Sequence, residues 1–180
     1  MRIRGGETIG LIIDLQVRLL PHITRSEQLI ARCVTLLKGL HLLGIPTVFT
    51  EQYPKGLGPT DERVASLLGP EPPMEKTSFS CCGESAVMTN LKTSGKKTVL
   101  VAGIEAHVCV QQTVLDLPDG GFVPVVVEDC IGSRNESDKI IALDRMRAAG
   151  TVVTTVESVL FELMENSRHP SFKAVSALVK

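Results

Sequence analysis

Three side chains of this sequence have the types and settings for nucleophilic catalysis: Asp14, Lys76 and Cys109. Asp14 closes the apolar run TIGLIID, and Cys109 follows the run VLVAGIEAHVC at the point where a helix is expected to begin. A thiol attacks as its thiolate, and free N–H groups at a helix start favour negative charge. That setting predicts a Cys109 pKa drawn below the free value of about 8.5. Lys76, in MEKTSFS, supplies a cation that supports the thiolate and pairs a buried carboxylate. A carboxylate beside the sulfur can take the proton and return it. The constellation therefore reads as Asp14 for general base and acid, Lys76 for electrostatic support, and Cys109 for nucleophile.

For these residues to meet, the chain must bring several segments together. TIGLIID, IPTVFT, KTVLVAGI, FVPVVVEDC and TVVTTV are apolar runs separated by helical patterns. Continuous rather than alternating apolar strands mark a parallel sheet covered on both faces. Right-handed crossovers then restrict the α/β fold to a doubly wound, three-layer α/β/α architecture. In such sheets, sites form beyond the carboxyl ends of the strands, where the strand order reverses. Asp14 and Cys109 face one crevice if their strands are neighbours at that point. Leu29, Cys33, Leu36, Leu40 and Leu43 mark one face of a first helix, with Thr24 and Glu27 as a capping box and Gly44 as its stop. Thr60 is expected to cap a short helix reaching Leu68, and Asn135 or Ser137 to start a later one. The stretch PEPPMEKTSFSCCG reads as irregular, with two strand residues near Met74.

Composition excludes several function classes. With 180 residues, 43% of them hydrophobic, residues 1–180 read as a single domain with a real core. Nineteen basic residues balance twenty acidic ones without a basic run, and a single Tyr and no Trp leave little for base stacking, so no nucleic acid is expected as partner. No apolar stretch approaches the roughly 20 residues of a membrane span. MRIRGGETIGLIID passes into DLQVRLL without a small-residue cleavage site, which points to the cytoplasm. The five cysteines contain no CxxC pair, so neither a zinc knuckle nor a thioredoxin-like motif is present. Cys33, Cys81, Cys82 and Cys130 are assigned to packing. AGIEAH is not a GxGxxG fingerprint, and nucleotide binding is rejected.

GLIIDLQ, EKTSFS and VAGIEAHVCV occur in this order, accompanied by VFTEQYPKGLGPT and TTVESVLFEL. Together they resemble the isochorismatase-like cysteine hydrolases, in particular the isochorismatase-domain and amidohydrolase subgroup. The resemblance runs from about Thr8 to Lys180. It implies a six-stranded, mostly parallel, Rossmann-like sheet and an Asp–Lys–Cys triad at Asp14, Lys76 and Cys109. It also implies a non-proline cis peptide joining Ile104 and Glu105, and an oxyanion hole from the N–H groups of Ala106 to Cys109, Val108 included and Cys109 foremost. Nicotinamidases of this family hold a metal through an Asp-x-His motif and a further His after the second strand. TEQYPKGLG has no His and no Asp, so no metal and no other cofactor is expected. Ala106 also stands where the family often has Thr.

Loop position places Gln16, Gln52, Tyr53 and Phe79 at the mouth of a substrate pocket. His107 either orients the turn or serves as acid or base, and Glu105 either contacts substrate or caps the helix. Asp129 is expected to accept backbone hydrogen bonds within CIGSRNES. The expected reaction is hydrolysis of a C–N bond in a small molecule through a thioester. Vinyl ether hydrolysis on the same scaffold and a non-catalytic interaction role are the alternatives. Leu160, Phe161 and Leu163 suggest contacts within a homo-oligomer.

Overall fold

The computed structural model describes residues 1–69 and 71–180. Six strands, β1 (Thr8–Ile13), β2 (Thr47–Gln52), β3 (Met74–Lys76), β4 (Thr98–Ile104), β5 (Val123–Gly132) and β6 (Val152–Thr154), form one sheet. Their spatial order is β3-β2-β1-β4-β5-β6, and every neighbouring pair is parallel. The helices are α1 (Ser26–Leu42), α2 (Pro54–Leu57), α3 (Glu62–Ala65), α4 (Ser85–Thr93), α5 (Gln111–Asp116), α6 (Glu136–Ala148), α7 (Val156–Met164) and α8 (Phe172–Leu178).

Alternate residues of the strands feed two cores. Ile12, Leu100, Ala102, Val125 and Val127 pack against α1, α7 and α8. Ile9, Leu11, Ile13, Val99, Val101 and Val126 pack against α4, α5 and α6. Every residue of β1 and β4 is buried, which accounts for their unbroken apolar sequence. Burying each large aliphatic side chain contributes about 1.5–3 kcal/mol. From β1 the chain winds outward to β3, then crosses back to β4 and winds the other way to β6. The strand order therefore reverses between β1 and β4, where Asp14 and Cys109 leave the sheet.

Several local expectations are corrected. Thr24 and Glu27 form no capping box: Arg25 precedes α1 in a left-handed conformation, the Thr24 hydroxyl donates to the Arg134 carbonyl, and Glu27 pairs with Arg63. Asp61, not Thr60, caps α3, which ends at Ala65. The Thr60 N–H and hydroxyl instead both donate to Glu51 Oε1 at 2.7 Å. Lys76 belongs to a strand rather than a loop, as the last residue of β3. Leu160 and Leu163 are core residues on the inner face of α7 and are not free to meet a partner, whereas Phe161 packs edge-on against Phe172 and stays exposed. The apolar residues left exposed on a helix include Ile140 and Ile141 of α6. Among the described residues no helix is long and apolar enough to cross a membrane.

Gly103 sets the spacing of β1 and β4 beside the strand ends. Its φ is +125°, and a Cβ there would overlap the Ile13 carbonyl oxygen and lie 2.6 Å from the Ile13 nitrogen. Both the conformation and the backbone neighbour exclude a side chain. Gly103→Ala is expected to destabilise the fold by at least about 3 kcal/mol, read by urea denaturation. A loss below about 1 kcal/mol would show that the two strands can separate without cost.

Candidate active site

Asp14 follows β1 with φ +53°, a left-handed conformation that Asp tolerates better than most residues. Its N–H donates to the Thr50 carbonyl at 3.2 Å, and its carbonyl accepts from Gln16 N–H at 2.7 Å. This sharp exit turns the carboxylate over the end of β2. Its Oδ1 accepts from the Thr50 hydroxyl at 2.8 Å, and its Oδ2 lies 2.7 Å from Lys76 Nζ. Both side chains of the ion pair are fully buried. Lys76 reaches it from β3 across the intervening β2, a span of two strand spacings, about 9–10 Å.

The ammonium is held on its other sides as well. Lys76 Nζ donates to Gln52 Oε1 at 2.5 Å and to the carbonyls of Ser78 and Phe79 at 3.2 Å each. Gln52 is thereby fixed as the partner of Lys76, and its amide nitrogen donates to the Thr77 carbonyl at 2.8 Å. Gln16 does not line a mouth: it is fully buried, accepts from Gln52 N–H, and donates to the carbonyls of Gln52 and Gly58. Its amide is committed to locking the end of β2 to the following loop. Tyr53 and Phe79 are exposed at this end of the sheet, and the Phe79 backbone touches the ammonium directly.

The Ile104–Glu105 peptide bond is cis. Instead of starting α5 directly, Ala106–Val110 form a π-helical turn, with α5 continuing from Gln111. The Glu105 carbonyl accepts from Val108 N–H at 3.0 Å and from Val110 N–H at 3.2 Å. Val108 N–H is therefore committed and leaves the set of oxyanion donors. The N–H groups of Ala106 and His107 have no backbone acceptor among the described residues. The Glu105 side chain neither caps the helix nor stands free: Oε2 lies 3.0 Å from Arg134 Nε and 3.8 Å from His107 Nε2. The other ring nitrogen of His107 lies 2.9 Å from the Ser133 hydroxyl, which ties the turn to the loop after β5. Asp129 accepts from Val156 N–H and pairs with Arg32, so it braces α7 and α1 rather than its own loop.

Cys109 sits against Asp14 with 7% of its surface exposed. Burial, followed by the negative charge of Asp14, outweighs Lys76 and pushes the Cys109 thiol up to about 12. The helix start does not lower it as expected, because desolvation dominates at this depth. Burial also raises the Asp14 pKa, against the opposing pull of Lys76 and Thr50. Burial disfavours the Lys76 ammonium, but the charge and hydrogen bond of Asp14 offset this, and its pKa stands above the ordinary lysine value. The Asp14–Lys76 pair at 2.7 Å thus stands beside a neutral thiol.

Cys81 is the member of the cluster that sequence reasoning missed. Its sulfur lies 3.9 Å from Thr50 Oγ1. The Thr50 hydroxyl spends its proton on Asp14, so the Cys81 thiol is the donor of that contact. The Thr113 hydroxyl accepts from Cys81 N–H at 2.9 Å and donates to the Cys109 carbonyl at 2.7 Å, joining both cysteine segments. Burial pushes the Cys81 thiol up to about 11. Cys33 and Cys130 are core residues, as their positions predict.

Comparison with known proteins matches residues 8–158 to the isochorismatase domain. Isochorismatase domain-containing protein 1 of Salmo salar is 39% identical over 96% of this chain, which spans 61% of that protein's length. The MAR1 ribonuclease of Caenorhabditis elegans superposes with a TM-score of 0.93 at 37% identity, covering 99% of this chain and 92% of that one. The ycaC gene product of Escherichia coli, an octameric hydrolase of unknown specificity, shares the fold with a TM-score of 0.93 at 24% identity, covering 99% of this chain and 89% of that one. The chain belongs to the isochorismatase domain family.

Proposed function

We propose that this chain is a cysteine hydrolase that cleaves a C–N bond of a small molecule through a thioester on Cys109. The observation that carries the reading is the buried Asp14–Lys76 pair at 2.7 Å, with the Cys109 thiol against the same carboxylate. A buried ion pair is a weak source of stability, so its placement at the strand-order reversal favours a chemical use. Membership of the family and the hydrolase of the same fold in Escherichia coli support hydrolysis.

In this reading Asp14 removes the thiol proton as sulfur attacks the carbonyl carbon. Lys76 keeps the carboxylate ionised beforehand and stabilises the thiolate as it forms. Backbone N–H groups of Ala106, His107 and Cys109 take the developing oxyanion. Collapse expels the amine, which leaves with the proton held by Asp14. A water molecule, deprotonated by Asp14, then attacks the thioester carbon. The acid is released, and Cys109 regains its proton from Asp14. Neither metal nor other cofactor enters these steps, because side chains and backbone supply every proton and charge. The same reading places the protein in the cytoplasm, without nucleic acid as partner, and as a homo-oligomer in which exposed Ile140 and Ile141 of α6 provide the apolar surface.

A screen of small amides, carbamates and nitriles, with an RNA oligonucleotide as a further arm, tests the substrate class. The expected result is turnover of a small C–N substrate, a Cys109 adduct by mass spectrometry, and a loss of at least about 1,000-fold in Cys109→Ala. Full activity in Cys109→Ala would exclude the thioester and favour vinyl-ether-type chemistry. Cleavage of the RNA alone would overturn the small-molecule assignment.

Asp14→Asn separates the two roles of the carboxylate. Its charge raises the Cys109 pKa, so removing it lowers that pKa and leaves the attraction of Lys76 unopposed. Alkylation of Cys109 by iodoacetamide at pH 8 is expected to quicken by about tenfold or more, one pKa unit being tenfold in thiolate, while hydrolysis falls. An unchanged alkylation rate in a variant with an unchanged circular dichroism spectrum would show that Asp14 does not act on the sulfur.

A further inference from the structure

A second feature lies at the opposite end of β2. Strand β3 pairs only with Thr50, Glu51 and Gln52, so the first half of β2 has no neighbour on that side among the described residues. Gly10 N–H donates to the Pro46 carbonyl and Asp14 N–H to the Thr50 carbonyl. These bonds fix the even-numbered residues of β2 as facing β1. By the alternation of a parallel ladder, the N–H and C=O of Thr47 and the N–H of Phe49 point to the open edge.

The sequence explains why the chain does not close this edge itself. Met74 and Lys76 supply the N–H groups of β3 that face β2, and the next position in the same phase is Pro72. Proline has no N–H to give the Thr47 carbonyl. The open edge borders a cavity of about 760 Å³, with Thr47, Val48 and Phe49 in its lining. Leu37 and Leu42 of α1, Leu67, Leu68 and Leu178 form apolar walls. Lys38 and His41 stand on the α1 lip, against the carboxylate of Glu71 elsewhere on the lining.

We infer that this edge binds an extended segment of a partner polypeptide by strand addition. The segment gives one N–H to the Thr47 carbonyl and one C=O to the Phe49 N–H. It alternates apolar side chains towards the leucine walls and carries an acidic residue beside Lys38. Unpaired strand groups inside an apolar groove match a peptide backbone, which supplies donors and acceptors at strand spacing. The site is independent of the chemistry at Cys109.

The test uses the full 15N-labelled chain and the peptide Ac-Glu-Val-Thr-Val-Thr-Val-NH2. Two controls carry N-methyl groups on alternate residues, one in each phase. The expected result is saturable shifts at the Thr47 and Phe49 amides, with Phe49 exchange slowed at least tenfold. Only one of the two N-methylated peptides should bind, since only one edge of the added strand faces β2. Leu42→Glu, at a wall position 40% exposed and so tolerant of charge, should weaken binding at least tenfold without changing the melting temperature. Absence of shifts at millimolar peptide, or equal binding by both N-methylated forms, would overturn the inference. Concentration-dependent protection of Phe49 without peptide would overturn it in favour of a second copy of this chain.

Discussion

The site depends on keeping two opposite charges stable where water cannot reach them. Removing a carboxylate and an ammonium from water costs several kcal/mol per ion, and their attraction offsets this only when the remaining donors and acceptors are also met. Here the Thr50 hydroxyl serves the carboxylate, while Gln52 and two loop carbonyls serve the ammonium. Each of these partners sits at or just beyond the carboxyl end of β2 or β3. The ion pair is therefore as good as the alignment of those strand ends. Gln16 enforces that alignment by bonding both backbone groups of Gln52. A side chain that touches neither member of the ion pair thus controls the electrostatics of the site through strand geometry.

The same burial that strengthens the pair withholds the thiolate. With Asp14 ionised beside it, Cys109 keeps its proton at neutral pH, its pKa standing at about 12. The proposed hydrolysis then requires attack and proton transfer to run together, with Asp14 receiving the proton as negative charge leaves sulfur for the substrate oxygen. Burial raises the Asp14 pKa and so brings the base nearer to the strength this transfer requires. Lys76 makes both states tolerable, because it faces a negative charge before and during the transfer. On that proposal the site protects its sulfur from incidental electrophiles and activates it only when a carbonyl occupies the oxyanion position.

Legibility in the sequence follows the range of the interactions. The sheet is legible because β1, β4 and β5 are long apolar runs, and a parallel sheet buried on both faces writes itself as such runs. Asp14 and Cys109 are legible because each ends one of them. Lys76 is legible as a residue type, whereas its strand is not: three residues with a charge at each of the last two positions carry no period. The contributions of Gln16, Thr113 and Cys81 are set by contacts across 30 or so positions of chain, such as Thr113 with Cys81 at a separation of 32, and no local pattern encodes them. The Cys109 pKa departs from its sequence-based expectation for a related reason. Position at a helix start is local, but depth of burial is a property of the finished fold, and depth prevailed.

Strand β3 joins the two ends of the molecule in one constraint. Its register with β2 must place Lys76 opposite Gln52, since a shift of one residue would turn the ammonium to the other face of the sheet. A longer strand would fix that register through more backbone bonds, but Pro72 ends the pairing at Met74. The register is held instead at the carboxyl end, by the backbone bond from Tyr53 N–H to the Lys76 carbonyl and by the side-chain bonds of Gln52 to the Thr77 carbonyl and of Lys76 to Gln52. Anchoring of this kind needs no contact along the lower half of β2. The short strand therefore delivers the cation to the end that carries Asp14 and Cys109 and, by stopping where it does, leaves the opposite end of β2 paired with β1 alone among the described residues.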